Sequence, residues 1–165
     1  MNASRARSRL VALALVVLAG AGACRDTPQP ARSHDPFGTG KLTLRDGSAN
    51  LLLEVEVADT PETRSRGLMG RRALAPHRGM VFVFDQPTVV SFWMKDTLIP
   101  LTIAFWDAHG RVLAVLDMTP CRTDPCPLYG PGQAYVAAVE VARGVLQANG
   151  IGVGATVRLD RSAGS

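Results

Sequence analysis

The chain has 165 residues, 18 of them Lys or Arg and 14 Asp or Glu, for a formal net charge of +4. Three of the positive charges, Arg5, Arg7 and Arg9, lie at the very start; without them 15 basic residues face 14 acidic ones, and a balance of +1 gives no warrant for nucleic-acid binding. The hydrophobic share of 47% is that of a globular domain with a real core, and only 5% of residues are aromatic.

Leu10 to Ala23 is an uncharged, mostly apolar run of 14 residues, shorter than the about 20 that a membrane-spanning helix takes. It follows the three arginines and ends in the small residues Ala21, Gly22 and Ala23, so residues 1–23 read as an export signal. Cys24 comes next. A cysteine directly after a small-residue cleavage site resembles a bacterial lipoprotein lipobox, where the thiol carries a diacylglycerol and several acyl chains give stable anchoring. Lipoboxes favour Leu at the position of Ala21, whereas the nearest Leu here is Leu18, and Ala21-Gly22-Ala23 also satisfies the rule for plain secretion. The expectation is an exported cell-envelope protein, tied to a membrane by lipid on Cys24, with a soluble periplasmic or secreted chain as the alternative. Arg25 after the cysteine, in place of Asp, points to an outer membrane where the host has one.

Residues 24–40 hold three prolines and two glycines and little that is apolar, a flexible tether. The globular domain is expected over 41–160, with 161–165 as a tail. Leu51, Leu53, Val55 and Val57 alternate with Glu54 and Glu56, the pattern of a half-buried strand. Thr60-Pro61-Glu62 starts a short helix, with Thr as N-cap and Pro at the first helical position. Met80–Phe84 and Val89–Met94 are apolar, β-rich runs. Leu101–Trp106 and Val112–Met118 flank the turn Asp107-Ala108-His109-Gly110, a hairpin. Tyr135–Val141 is a further strand, Arg143–Ala148 one or two helical turns stopped by Gly150, and Thr156–Leu159 closes the domain. The fold class predicted is mainly β (α+β): a compact, antiparallel, barrel-like domain of about eight strands with two short helices.

Cys121 and Cys126 close a short loop amid Pro120, Pro125 and Pro127. In an oxidising compartment the pair is most simply a structural disulfide. A redox dithiol or two metal ligands are the rivals. A redox pair usually reads Cys-x-x-Cys at a helix N-terminus, and the prolines here oppose a helix.

Arg66-Gly-Leu-Met-Gly-Arg71, Gly79–Asp85 (GMVFVFD) and Ser91–Asp107 (SFWMKDTLIPLTIAFWD) resemble the domain of unknown function 192 family. Pro120–Tyr129, Tyr135–Gly144 and Asn149–Leu159 continue the match, so the resemblance spans Leu42 to Asp160. It implies an exported or anchored protein and no settled activity. The family often has Asn at the position of Asp96, and Gly-Asp where this chain has Gly154-Ala155.

Two stretches carry candidate chemistry. Lys95 and Asp96 are the only charges between Phe92 and Trp106, and charges amid apolar residues need a partner or an exit to water. They either mark a strand end or floor a pocket, with Trp93 stacking on a ring or sugar and Lys95 meeting an anion. Arg64, Arg66, Arg71, Arg72 and Arg78 form the densest basic stretch. Arginine forks suit carboxylates and phosphates, and Gly67 and Gly70 let backbone N–H groups approach an anion. The alternative is a solvated loop whose arginines pair with Glu54, Glu56 or Asp85. The binding residues expected are therefore Arg66, Gly67, Gly70, Arg71, Trp93 and Lys95.

There is no G-x-S-x-G elbow, no H-E-x-x-H and no phosphate loop. No cofactor or metal site is expected, since Met69, Met80, Met94 and Met118 read as core fillers and the three histidines are scattered. The leading reading is a non-catalytic binding or accessory domain for an anionic small molecule, a glycan or an envelope protein partner. A small envelope hydrolase acting on a cell-wall or sugar-like substrate through Lys95 and Asp96 is the alternative, and copper(I) handling the third. A buried, shifted Lys95 or Asp96 beside Arg66 favours the enzyme; an open basic surface with Asp96 in a turn favours binding.

Overall fold

The computed structural model describes residues 37–162. The expected signal (1–23), Cys24 and the tether residues 25–36 lie outside the described residues. Seven strands and two short helices follow one another: β1 (Gly38–Asp46), β2 (Ala49–Ala58), α1 (Pro61–Arg66), β3 (Arg78–Thr88), β4 (Leu101–Trp106), β5 (Val112–Met118), β6 (Tyr135–Ala142), α2 (Val145–Ala148) and β7 (Thr156–Arg161). The strands form one sheet in the order β5-β4-β6-β3-β2-β1-β7.

The domain is mainly β with two short helices, as the alternation predicts. Its details are more particular. Among the described residues there are seven strands, against the about eight expected, and β2 pairs with β3 in parallel while every other neighbour is antiparallel. A parallel pair needs a long crossover, and here α1 and the loop up to His77 supply it. The sheet does not close: β5 and β7 remain its edges. They touch at one corner, where Val157 N–H donates to Gly110 O at 2.7 Å and Gly154 N–H to Val112 O at 2.9 Å. Gly110 has φ +72°, and a Cβ there would stand 2.7 Å from the Val157 carbonyl oxygen, so the turn meets β7 only because the residue is glycine.

Local rules account for most elements. Thr60 caps α1: its hydroxyl accepts from Thr63 N–H at 3.2 Å and its own N–H donates to the Thr63 hydroxyl at 3.0 Å. This closes a capping box and contributes about 1 kcal/mol. Asp107 Oδ1 accepts from the N–H groups of His109 and Arg111, both at 2.9 Å, and folds the β4–β5 hairpin. β1 begins at Gly38, inside the stretch that composition marks as tether; its two glycines lie against β2 and β7, where Gly38 faces Val57 and Gly40 faces Arg161.

Val89–Met94 is not a strand of the sheet. Only Phe92 pairs, through an isolated bridge to Tyr129. The segment lies over one face instead, because its rings are worth more as cover than as a ladder: Phe92 packs edge-on against Phe82 at 4.9 Å and Phe105 at 5.7 Å. Tyr135 O–H ties the segment down by donating to Val90 O at 2.6 Å, and burial pushes that phenol up to about 12, so it stays a donor.

The sheet is buried on both faces. One core holds Leu42, Leu44, Leu53, Val55, Val57, Val81, Val139 and Leu146. The other holds Met80, Phe82, Met94, Ile103, Phe105, Met118 and Tyr135. Of the four methionines read as core fillers, Met80, Met94 and Met118 are wholly buried in this second core. It is this second face that carries the candidate site.

Candidate ligand site

Three chain segments converge on the turn that follows Met94. Thr97 N–H donates to Met94 O at 3.2 Å and so does Cys121 N–H at 3.2 Å, while Gly70 N–H donates to Asp96 O at 2.8 Å. Asp96 sits at φ +55°, the only non-glycine residue with a positive φ among the described residues. Asp and Asn tolerate this left-handed region better than other side chains, so the turn suits the residue that stands there.

Between this turn and the Cys121–Cys126 loop opens a cleft of about 610 Å³, lined chiefly by Arg72, Lys95, Asp96, Thr97, Arg122 and Asp124. The two cysteine sulfurs lie at disulfide distance, 2.07 Å, with their Cα atoms 5.7 Å apart. Lys95 Nζ donates to Asp124 Oδ2 at 3.0 Å and lies 5.6 Å from the centre of the Trp93 ring. That hydrogen bond, with the charge of Asp124, raises the Lys95 pKa further above its ordinary value. Arg72 and Arg122 have no acidic partner among the described residues.

The arginines of the glycine turn go separate ways. Arg71 makes a bidentate pair with Glu56, one arm at 2.6 Å, and is spent on the scaffold. Arg78 pairs with Glu54 at 2.6 Å. Arg64 donates to the carbonyls of Asp59 and Val83 at 2.6 and 2.9 Å and lies over the Phe84 ring. Arg66 is exposed, at the end of α1, beside Gly67. Gly67 turns with φ +46°, and a Cβ there would meet the Phe82 ring at 3.3 Å. Of the expected binding residues, then, Lys95 lines the cleft, Trp93 stands 48% exposed beside it, Arg66 and Gly67 line a neighbouring slot, and Gly70 serves as a backbone donor to Asp96.

That slot contains a residue the sequence reading did not single out. It is small, about 30 Å³, and lined by Arg64, Arg66, Gly67, Met69, Phe82, Phe92, Trp93, Thr97 and Glu140. Glu140 projects from β6 on the second-core face, between Met80 of β3 and Ile103 of β4. It is 5% exposed and makes no hydrogen bond or ion pair with another described residue. Burial alone pushes its carboxyl up to about 8. The available signal was an acid at an inward position of the run Tyr135–Val141. Among the described residues no group of three or more His, Cys, Asp or Glu is placed to hold a metal ion.

The fold and the cleft define a small β domain with a charged surface site beside an exposed tryptophan ring. The family model described as "Uncharacterized ACR", DUF192, matches residues 42–159, and the chain belongs to that family. A comparison with curated proteins finds no match. The chain is similar to a crystal structure of a protein of unknown function from Novosphingobium aromaticivorans DSM 12444, at 27% identity and a TM-score of 0.68, covering 73% of this chain and 84% of that one. It is also similar to a "putative transcription regulator" from Sinorhizobium meliloti 1021, at 26% identity and a TM-score of 0.68, covering 74% of this chain and 95% of that one.

Proposed function

We propose that this is an exported cell-envelope protein, lipid-anchored through Cys24, whose domain binds an anionic small molecule or glycan without transforming it. The observation that carries the reading is the convergence of Arg72, Lys95 and Arg122 on one cleft, against the two carboxylates Asp96 and Asp124, with Arg72 and Arg122 in no ion pair among the described residues. Cations left unpaired around a cleft bind anions, and arginine forks suit carboxylate and phosphate. The hydrolase alternative draws less support. It needs Lys95 or Asp96 buried and shifted towards reactivity, whereas Asp96 is exposed in a turn and Lys95 is 40% exposed, paired and more firmly protonated. The regulator description stays with the Sinorhizobium protein.

The test is a thermal-shift screen of the exported protein against anionic sugars, cell-wall fragments and nucleotides. A ligand at 100 times its Kd stabilises by about 2.7 kcal/mol. The reading requires a hit that Arg72→Ala with Arg122→Ala abolishes; a panel without hits points instead to a protein partner. Intact mass decides the anchor: an unmodified mature N-terminus removes it.

A further inference from the structure

Among the described residues, Glu140 is the buried acid that makes no hydrogen bond or ion pair, and its carboxyl oxygens keep a narrow opening to solvent through the slot. Burying a carboxyl without a partner costs free energy, and natural folds rarely keep one unless it has a task. Its surroundings say what that task is. The elements packed against it bring few charges: β3 and β4 present Met80 and Ile103 on either side, α1 brings Arg64 and Arg66 to the slot, and the turn after Met94 carries Lys95 and Asp96 at its exposed edge. Arg64 is held elsewhere by two carbonyls and the Phe84 ring.

The slot is the cleft's neighbour, with the buried Thr97 between them. Thr97 lines both, and Trp93 lines the slot while its ring faces Lys95 of the cleft. The slot, about 30 Å³, is small but large enough to take a water molecule or a small polar group. A ligand ammonium is disfavoured there, because the nearest unpaired charge on the slot is the guanidinium of Arg66.

We propose that the slot is the deep end of the ligand site, where the Glu140 carboxyl hydrogen-bonds one oxygen of a sugar-acid ligand whose ring lies on Trp93 and whose carboxylate is held by the cleft cations. This rests on the reading of the cleft as an anion site. Glu140 carries its proton at neutral pH and donates it to the ligand oxygen; ionised, it repels the ligand's charge.

Calorimetric titration of the exported protein with glucuronate and galacturonate at pH 6.5 and 9.5 tests this. A group titrating near 8 is protonated in about 3% of molecules at pH 9.5, so wild-type affinity falls about thirtyfold between the two conditions. Glu140→Gln, which keeps the shape and the donor, binds equally at both. Glu140→Leu binds weakly at both. Lys95 keeps its charge across the range, its pKa being raised. Parallel pH profiles in wild type and Glu140→Gln overturn the role of Glu140 while leaving the cleft, which falls only if Arg72→Ala with Arg122→Ala binds like wild type. No binding of either sugar acid at either pH overturns both.

Discussion

Glu140 makes folding depend on pH in the direction opposite to that of most carboxylates. Its ordinary pKa of 4.5 rises to about 8 in the fold because burial disfavours the charged form. Between those values the native state holds a proton that the unfolded chain has released, so stability is greatest below pH 4.5 on account of this group and falls as pH rises towards 8. At about 1.4 kcal/mol per pH unit, the rise amounts to a loss of about 5 kcal/mol above pH 8. Water reaching the ionised carboxyl through the slot reduces that figure. Glu140→Gln removes the titration. Urea unfolding of wild type and variant at pH 5, 6.5 and 8.5 should therefore show the variant gaining on wild type by several kcal/mol as pH rises, with equal m-values. Two stability curves that stay parallel across this range refute the account of Glu140 as a lone buried acid.

Other residues give sharper local tests. Asp96→Gly should leave urea stability nearly unchanged, whereas Asp96→Val costs about 1–2 kcal/mol, because φ +55° penalises a β-branched residue. Arg71→Ala should cost about 1–3 kcal/mol, since it strands Glu56 at 13% exposure, and Arg78→Ala under about 1 kcal/mol, since its pair with Glu54 is open to water. Phe105→Ala should cost about 3–5 kcal/mol by emptying the centre of the ring cluster formed with Phe92 and Tyr135, read as a fall in Tm. Alkylation of the protein without reductant should label neither Cys121 nor Cys126; rapid labelling of both removes the disulfide.

The elements legible in the sequence are those whose signal is local. Alternation gave β2 away, the Asp107–Gly110 turn fixed the β4–β5 hairpin to the residue, and Thr60-Pro61 marked the start of α1. What local signals cannot carry is partner choice. Nothing in Leu51–Val57 and Met80–Phe84 says that the two strands run parallel, because the side-chain period is the same either way. Val89–Met94 has strand composition but spends its apolar rings on a face of the sheet. The site divides along the same line. The Trp93–Lys95 surface follows from two charges in an apolar run. The pairing of Arg71 with Glu56 was one of several open partners, and Glu140 drew no notice because a single acid in a strand reads as solvent-facing until its neighbours are known.

The placement of β1 beside β7 also governs how the domain answers to force. Ser162 N–H donates to Thr39 O at 2.9 Å and Gly40 lies opposite Arg161, so the chain enters the sheet and leaves it side by side at one end. In an antiparallel pair the hydrogen bonds lie across the strands. Tension drawn between those two points loads them one at a time, as in a zipper, rather than all together in shear. The domain is mechanically soft along that line, and β7 is the first strand to peel.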